Sequence, residues 1–476
     1  MRPRSGGRAV SETLSQHVTG QPLVRSSRPE VELDRPRLAI VLAAGRSERL
    51  AAVTGGGSKA LVRMGGLSLV ERAVRTLLAA GMERVVVVVG YQAGPVATVV
   101  NRIAPDRVRA VFAERWELGN GASLAAAEPH VAEERGFLLV TTDHVFSDGA
   151  LEPLLAADRA AVLVDHAPDP NAWAEGTRVS LHEERAVAFS KDLGDPSIDC
   201  GAFLLPPSAF DAQHRTQARG DASLAGAVTE LARVHPLEAV PLPQTAWWHD
   251  VDTPEDLRAV SGRLRRSLTK EADGPVSRYV NRPISTRASM ALAHLPIHPD
   301  VVSVVAFLFA LGGAWALAVG AGVAGGLLVL ASSILDGVDG EIARLRIRSS
   351  AAGALLDGVL DRIGDAVVLG GLALWALDQG DDPATVVLLA VAATAGAMLS
   401  MATKDRIAAL AIPPAPERWI GFFLGGRDAR LLFVTVFAIL GRPLVAIIVV
   451  AITSAASLAA RLLIVMGMLR AWTTSG

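Results

Sequence analysis

Cysteine is nearly absent from this chain, aromatic residues are few, and neither sign of charge is in excess. The single cysteine, Cys200, excludes an internal disulfide framework and is typical of a reducing compartment. Lys and Arg number 46 against 48 Asp and Glu, so the overall charge gives no reason to expect a nucleic acid as partner. Residues 1–36 are polar and lack a long apolar run, so we expect a disordered leader and not a signal peptide.

What the chain has in excess is hydrophobic residues, which make up 51% of it and concentrate after residue 295. Its 476 residues exceed what one core usually organises, so at least two domains are expected. The shift in composition predicts a soluble domain over residues 37–262 and a basic linker or juxtamembrane helix over 263–295. A membrane domain is predicted over 296–476.

The soluble part alternates strand-like and helical segments. Runs such as LAIVLAAG, RVVVVVG and GFLLVTTD are separated by amphipathic stretches such as LSLVERAVRTLLAAG. This alternation predicts a Rossmann-like α/β fold with a mostly parallel sheet and helices on both faces. The TPED tetrapeptide near residue 255 is typical of the start of a last helix.

The segment over 263–295 is basic and amphipathic, and two interpretations stay open for it. It is either a solvated linker or a helix that lies on an anionic membrane surface. After it, about six apolar stretches begin near residues 300, 322, 353, 383, 428 and 444, each close to the ~20 residues that a crossing needs. Lys and Arg cluster in alternate linkers, so the positive-inside rule places those linkers and the soluble domain in the cytoplasm, at a cell (inner) membrane.

Four aspartates interrupt the second and third apolar stretches. Asp336 and Asp339 are three positions apart and Asp357 and Asp361 are four apart, so each pair shares one helix face. Carboxylates inside a membrane usually mark a functional cavity, and four of them facing one another suit divalent cations. Pairing with neighbouring arginines in a bundle core is the alternative, but it leaves Gly340 and Gly353 unexplained.

The run from Asp336 to Asp361, with Gly340, Ala343, Arg344 and Gly353 between, resembles the signature of the CDP-alcohol phosphotransferases at every fixed position. The resemblance covers about residues 275–470. It implies transfer of a phosphoalcohol from CDP to an acceptor hydroxyl, a family-type dimer through the membrane helices, and Mg²⁺ (or Mn²⁺) as cofactor. It also implies roles for individual residues: Asp336, Asp339, Asp357 and Asp361 as metal ligands, Asp361 also as the catalytic base, and Gly340, Arg344 and Gly353 in the nucleotide pocket.

In the soluble domain, the first strand runs into a glycine-rich loop that ends at a lysine, LAAGRSERLAAVTGGGSKAL. Such a turn can hold a triphosphate, although a flexible surface loop is the alternative. Asp143 ends a later strand and therefore belongs at the ligand-binding edge of the sheet. Asp250 and Asp252 follow in WWHDVDTPEDL, and two aspartates could hold one Mg²⁺.

Together these segments resemble the sugar-phosphate nucleotidyltransferases over about residues 37–262. The resemblance implies a triphosphate site at Ala43, Ala44, Gly45, Arg49 and Lys59, of which Lys59 is also catalytic. It implies metal ligands at Asp143 and Asp252. It further implies a base or sugar site at Asn120 and Gly121, and contacts to the acceptor at Lys191 and Asp199. Ser47 and Ser58 depart from the glycine and proline that the family prefers, which puts turnover in doubt. His144 is interpreted as a catalyst or, more simply, as a supporting residue.

A nucleotidyltransferase ahead of a CDP-consuming enzyme suggests that the first half makes the substrate of the second. Both halves resemble the fusion family that joins inositol-1-phosphate cytidylyltransferase to di-myo-inositol phosphate phosphate synthase. This implies CTP, inositol-1-phosphate and CDP-inositol as ligands, with Arg282, Lys404 and Arg427 as candidates for a phosphorylated acceptor. The alternatives are another small alcohol transferred to a lipid, or a membrane scaffold without activity.

Overall fold

The computed structural model describes residues 32–46, 49–270, 273–409 and 426–474. Most of the predicted leader and the Ser47 departure lie outside these residues. The soluble half contains thirteen strands among the described residues: β1 Leu38–Ala43, β2 Arg63–Met64, β3 Leu67–Ser68, β4 Arg84–Val89, β5 Val108–Phe112, β6 Phe137–Thr141, β7 His144–Phe146, β8 Ala161–Asp165, β9 Arg178–His182, β10 Arg185–Ser190, β11 Ile198–Leu205, β12 Leu237–Pro241 and β13 Trp248–Asp250.

The helices of this half lie between those strands, except α9, which follows the last strand. They are α1 Ala51–Thr54, α2 Leu69–Ala79, α3 Ala93–Val100, α4 Asn120–Leu124, α5 Glu152–Leu155, α6 Pro170–Glu175, α7 Ser208–Ala218, α8 Leu224–Ala232 and α9 Pro254–Ser267. The predicted last helix is confirmed as α9. Thr253 and Asp256 form a reciprocal capping box at its start, which explains why it begins there. Helix α9 continues past residue 262, so the predicted domain boundary falls inside it.

Nine strands form one sheet in the order β5-β4-β1-β6-β11-β8-β12-β10-β9. Strands β5, β4, β1 and β6 are parallel, as predicted, and strand β1 is buried along its whole length. The rest of the sheet is mixed, because β11 runs antiparallel to both β6 and β8. Strands β9 and β10 form a hairpin through Glu183 and Glu184, both at positive φ, which makes that pair antiparallel.

The second half is helical, with a π-helical turn at Ser277–Asn281 leading into it. Its helices are α10 Arg282–Leu292, α11 Pro299–Ala318, α12 Gly322–Leu345, α13 Ala351–Asp378, α14 Pro383–Ala409, α15 Arg427–Ile439 and α16 Pro443–Thr474. Helices α11 to α16 begin within two residues of the six predicted starts.

Four helices in the described part of the chain, α11, α12, α14 and α16, are long and apolar enough to cross a membrane by length and composition. The number of crossings predicted from the sequence was six, and α13 and α15 are not among these four. Helix α13 is long but carries Asp357, Asp361, Arg362 and Asp365, whereas α15 has 13 residues. The helical membrane domain is confirmed, and the exact number of crossings stays a prediction.

Candidate active sites

The loop that follows β1 leaves the same edge of the sheet as Asp143. Strands β1 and β6 are parallel and in register, with Leu42 opposite Thr141, so both strands end at the same edge of the sheet. Residues Ala43 and Ala44 are buried, and the carbonyl of Ala44 accepts a hydrogen bond from the backbone of Tyr91 at 2.9 Å. A Cβ on Gly45 would meet nothing within 4 Å, so the chain faces open space at the predicted triphosphate position.

Lys59 lies on a 3₁₀ turn, Lys59–Leu61, whose first N–H groups are held by Ser58. The Ser58 hydroxyl accepts a hydrogen bond from the backbone N–H of Ala60 at 3.3 Å, and the Ser58 N–H donates to Gln92 Oε1 at 3.0 Å. Ser58, which stands where the family prefers proline, therefore caps the turn on which Lys59 lies.

The Lys59 ammonium lies among three carboxylates. Its Nζ is 3.0 Å from Asp143 Oδ2 and 3.8 Å from Asp250 Oδ1, and it also donates to Asp252. Burial would lower the pKa of Lys59, but attraction to these aspartates raises it above its ordinary value. Arg49 bonds to Asp252 as well and to Glu175 Oε2 at 2.5 Å. Arg49, Lys59, Asp143 and Asp252 therefore lie together in one cluster.

The aspartate nearest to Asp143 for a shared metal is Asp250. Ligand atoms of Asp143, His144 and Asp250 lie within 4.8 Å of one another, whereas Asp252 faces Lys59 and Arg49. Burial would raise the pKa of Asp143, but the Lys59 charge holds it well below its usual value. Burial and the neighbouring Asp143 carboxylate raise the pKa of Asp250 to about 6. These carboxylate oxygens fit one hard divalent cation, for which Asp250 would be a ligand that the resemblance did not assign.

His144 lies beside this cluster and contacts Asp143 directly. Its Nδ1 is 2.6 Å from Thr141 Oγ1 and 3.0 Å from Asp143 Oδ1, and its ring stacks on Trp248 at 5.2 Å between centroids. Burial would lower the pKa of His144, but Asp250 and Asp143 raise it to about 9. An imidazolium in this position orients Asp143. Trp248 is buried, as expected for a core residue.

A cavity of about 1610 Å³ opens beside the cluster. It is lined by three of the four residues expected for the base, sugar and acceptor, Asn120, Lys191 and Asp199. Gly121 is buried, and a Cβ there would come within 2.6 Å of the Ser223 carbonyl, so close packing requires this glycine. Burial raises the pKa of Asp199, whose Oδ1 accepts a hydrogen bond from the Gly201 N–H at 2.9 Å.

In the helical half, α12 and α13 bring the predicted aspartates together. Ligand atoms of Asp336, Asp357 and Asp361 lie within 4.8 Å of one another. Asp339 is 6% exposed and accepts a hydrogen bond from the Ser303 hydroxyl of α11. Packing of α11 against both motif helices, through Ala310, Ala314 and Leu317, holds the two faces toward each other.

One arginine lies inside this cluster. Arg427, at the start of α15, has Nη1 3.0 Å from Asp336 and 3.0 Å from Asp361, and Nε 3.0 Å from Asp365. Pairing with an arginine, the alternative considered for these carboxylates, therefore occurs. Among the described residues, however, Arg427 is the only cation within 4 Å of these three, and Asp339 and Asp357 add further negative charge. The surplus of carboxylate fits divalent cations.

Asp365 was missed by the sequence reasoning. It stands four residues after Asp361, as Asp361 stands four after Asp357, so the same helix face continues to it. Extending the periodic spacing by one step would have found it.

Gly340, Arg344 and Gly353 lie on α12 and α13, the two helices that carry the aspartates. A Cβ on Gly340 would lie 3.2 Å from Arg344 Nη1, so this glycine leaves room for the guanidinium. Gly353 donates its N–H to Ser350 Oγ at 3.0 Å in the N-cap of α13. A Cβ on Gly353 would lie 3.1 Å from Ser350 Oγ and 3.4 Å from Asp300 Oδ1, so the tight space favours glycine here. The role of Gly353 in nucleotide binding stays a prediction.

The residues expected at the acceptor site are not all placed together. Lys404 is exposed, and Arg427 lies among the aspartates. The guanidinium of Arg282 is held by Asp273 at 2.8 Å and by the fully buried Glu341 at 2.5 Å. Two further buried arginines lie deeper in the bundle: Arg430 donates to Ser454 Oγ at 3.1 Å, and Arg461 donates to the Ser400 carbonyl at 2.7 Å.

Comparison with known proteins agrees with this division. Residues 39–240 match the family described as MobA-like NTP transferase domain, and residues 296–470 match the family CDP-alcohol phosphatidyltransferase. A bifunctional IPC transferase and DIPP synthase of Rubrobacter xylanophilus is 38% identical over 85% of this chain and 91% of its own length. The chain belongs to this family of bifunctional transferases. The enzyme of the same name from Archaeoglobus fulgidus is 32% identical over 84% of this chain and 78% of its own length.

Among solved structures, the inositol-1-phosphate CTP transferase from T. maritima is 26% identical. It covers 48% of this chain and 95% of its own, with a TM-score of 0.45. Membership of the family makes the chain an enzyme with a nucleotidyltransferase domain followed by a CDP-alcohol phosphatidyltransferase domain. The scaffold without activity is thereby set aside.

Proposed function

We propose that this chain catalyses two consecutive steps. CTP and inositol-1-phosphate give CDP-inositol and diphosphate, and CDP-inositol then reacts with a second inositol-1-phosphate to give di-inositol phosphate phosphate and CMP. The observation that carries the proposal is the presence of two separate carboxylate clusters, each complete in its own half, on a chain whose family relatives span both halves.

In the first step, a phosphate oxygen of inositol-1-phosphate attacks the α-phosphorus of CTP, and the bond to the β-phosphate breaks. Lys59 and Arg49 are the cations at the loop that would bind the triphosphate, and they would neutralise the departing diphosphate. The acceptor would occupy the adjoining cavity, where Lys191 and Asp199 line the wall. A divalent cation held by Asp143 and Asp250 would lower the charge repulsion between the reacting phosphates.

In the second step, a hydroxyl of the acceptor attacks the β-phosphorus of CDP-inositol, and CMP leaves. Asp361 would accept the proton of that hydroxyl. Arg427 is the cation placed directly against Asp361, which makes it the first candidate for the acceptor's phosphate, and Lys404 and Arg282 are weaker ones. Cations held by Asp336, Asp339, Asp357 and Asp361 would stabilise the leaving phosphate. We propose Mg²⁺ at both sites, with Mn²⁺ as a substitute.

The location we propose is the cytoplasmic face of the cell membrane, with both active sites on that side. The segment before the first span supports it, because α10 turns the polar Ser285 and Ser289 inward while Ile284 is 52% exposed. The preceding turn exposes Tyr279 by 75%. Apolar side chains facing outward beside Arg287 suit the interface of an anionic bilayer. A homodimer through the membrane helices remains part of the proposal.

The deciding experiment supplies membranes containing the protein with CTP, Mg²⁺ and labelled inositol-1-phosphate. The label should appear first in CDP-inositol and then in a water-soluble diester, with one CMP released per diester. Label that moves into the organic phase would instead support the second candidate, transfer to a lipid acceptor. If no CDP-inositol forms, the first step of the proposal is wrong.

A further inference from the structure

The two catalytic halves are joined by an apolar cluster. Most of its buried members belong to the soluble domain, and Ala293 and Leu345 belong to the helical half; the soluble members are Leu50, Val62, Met64, Leu69, Val145, Val251, Val260, Leu264 and Leu268. Val62 lies three residues after Lys59, and Leu345 directly follows Arg344. The interface therefore begins within a few residues of both predicted sites.

The end of α12 is completed by the soluble domain. The carbonyls of Ile342, Ala343 and Arg344 accept hydrogen bonds from the backbone of residues 346–348. The next carbonyl, that of Leu345, accepts a hydrogen bond from Arg72 Nη2 of α2 at 3.0 Å, and the carbonyl of Arg346 accepts one from Arg75 Nη1 at 3.4 Å. Guanidinium groups at a helix C-terminus satisfy orphan carbonyls and oppose the negative end of the helix dipole.

The turn that leaves α12 is strained, which makes such support necessary. Ile347 has φ +51°, a conformation that costs a β-branched residue about 1–2 kcal/mol. The Ile347 N–H donates to the Arg344 carbonyl, and the Arg348 N–H donates to the Ala343 carbonyl. This pair of hydrogen bonds is a helix-ending pattern that normally has glycine at the position of Ile347. Contacts from outside the helix must therefore hold the turn in place.

Arg72 also ties the turn to the hairpin of the soluble domain. The same Nη2 is 3.1 Å from the carbonyl of Met64 in β2, and the side chain is only 5% exposed. At the hairpin's tip, a Cβ on Gly66 would come within 2.1 Å of the Ala293 carbonyl, so the backbones of the two halves touch there. Arg346 in turn donates to the carbonyls of Ala293 and Ile297 at the end of α10, at 2.9 and 2.5 Å.

We infer that Arg72, in the nucleotidyltransferase domain, is a positioning residue of the phosphotransferase site. It fixes the last turn of α12 and thereby the direction of Arg344, which lies one residue before the carbonyl that Arg72 holds. Within the part of the chain that the structure describes, the Arg344 guanidinium makes one long hydrogen bond, 3.5 Å from Nη2 to the Leu268 carbonyl, so the backbone that carries Arg344 sets its position. The inference rests on the proposed role of Arg344 in binding the CDP group.

The test uses the full chain and supplies CDP-inositol directly, so that the first step is bypassed. In Arg72→Met, which keeps the length of the side chain but removes its donors, KM for CDP-inositol should rise about tenfold, the loss typical of a charged hydrogen bond. Diphosphate release from CTP and inositol-1-phosphate should stay within about twofold. Arg72→Lys, which retains a positively charged donor group, should restore part of the affinity. Arg84→Met, which removes an exposed ion pair with Glu134 in the same domain, is the matched control and should change neither activity.

A merely structural role would lower kcat of both activities and leave KM for CDP-inositol unchanged, and that result would overturn the inference. If Arg72→Met releases no diphosphate because it fails to fold, Arg75→Met provides the measurement, since the hydrogen bond of Arg75 is longer and only partly buried. A rise of about two- to threefold in the same KM is expected there, and no rise would overturn the inference. Wild-type protein that releases no CMP would remove the proposed function itself, and the inference would fall with it.

Discussion

Both carboxylate clusters place a basic side chain among aspartates, but they are built from different elements of the fold. In the soluble half, Lys59 lies among Asp143, Asp250 and Asp252 at the edge of a sheet, where loops and short strands supply every group. In the helical half, Arg427 lies among Asp336, Asp361 and Asp365, all projected from long helices. The helical cluster holds one arginine against these three carboxylates and so retains negative charge for metal ions. The sheet cluster also contains Arg49 and His144 and is therefore closer to charge balance. Loops allow the aspartates to be rearranged, whereas helices fix them by spacing.

The largest effect that separates the two clusters is expected at Asp361. Asp361→Asn should lower CMP release about a thousandfold, because the acceptor hydroxyl loses its base. Diphosphate release should be unchanged, since Asp361 belongs to the helical half alone. Both rates are measured on the same purified sample. Asp378→Asn, at the exposed end of the same helix, is the control; loss of both activities in Asp361→Asn would contradict two independent sites.

The converse test is Lys59→Ala. Removing the ammonium should lower diphosphate release about a hundredfold, since the departing charge loses its partner. CMP release from supplied CDP-inositol should be retained. The exposed Lys270 offers a matched control as Lys270→Ala. If Lys59→Ala still made CDP-inositol at the wild-type rate, the proposed role of the sheet cluster in the first step would be wrong.

The helical cluster was far easier to predict from the sequence than the sheet cluster. Spacing within one helix decides which side chains share a face, so Asp336, Asp339, Asp357 and Asp361 were all identified from local pattern. The position of Asp143 could also be predicted, because parallel strands end at one edge of a sheet.

What could not be predicted depends on contacts between distant segments. Asp250 lies opposite His144 because β13 pairs antiparallel with β7, and that register is not visible in the sequence. Arg427 reaches Asp336 and Asp361 only because α15 packs beside α12. Likewise, Arg282 is held by Glu341, 59 positions later, and its pairing with a buried carboxylate could not be inferred from a basic stretch.

The two aspartates after Trp248 allow the sheet cluster to be tested further. Asp250→Asn should raise the Mg²⁺ concentration for half-maximal diphosphate release at least about tenfold, because a metal ligand is lost. Asp252→Asn should mainly raise KM for CTP, since Asp252 orients Lys59 and Arg49. Titrating both variants with Mg²⁺ and CTP separates the assignments. The opposite pattern would return the metal to Asp252, as the family resemblance implied.

The smallest expected effect concerns how firmly the two halves are coupled. Thr253→Ala removes the cap of α9, which should cost about 1 kcal/mol and lower the midpoint of thermal inactivation by about 2–4 °C. Helix α9 supplies Val260 and Leu264 to the apolar cluster between the halves, so we expect the midpoints of diphosphate and CMP release to fall together. Thr98→Ala, at an exposed site on α3 away from that cluster, should shift neither midpoint. A fall confined to diphosphate release would show that the halves unfold separately. In that case the two halves would belong to one chain but would have separate stabilities.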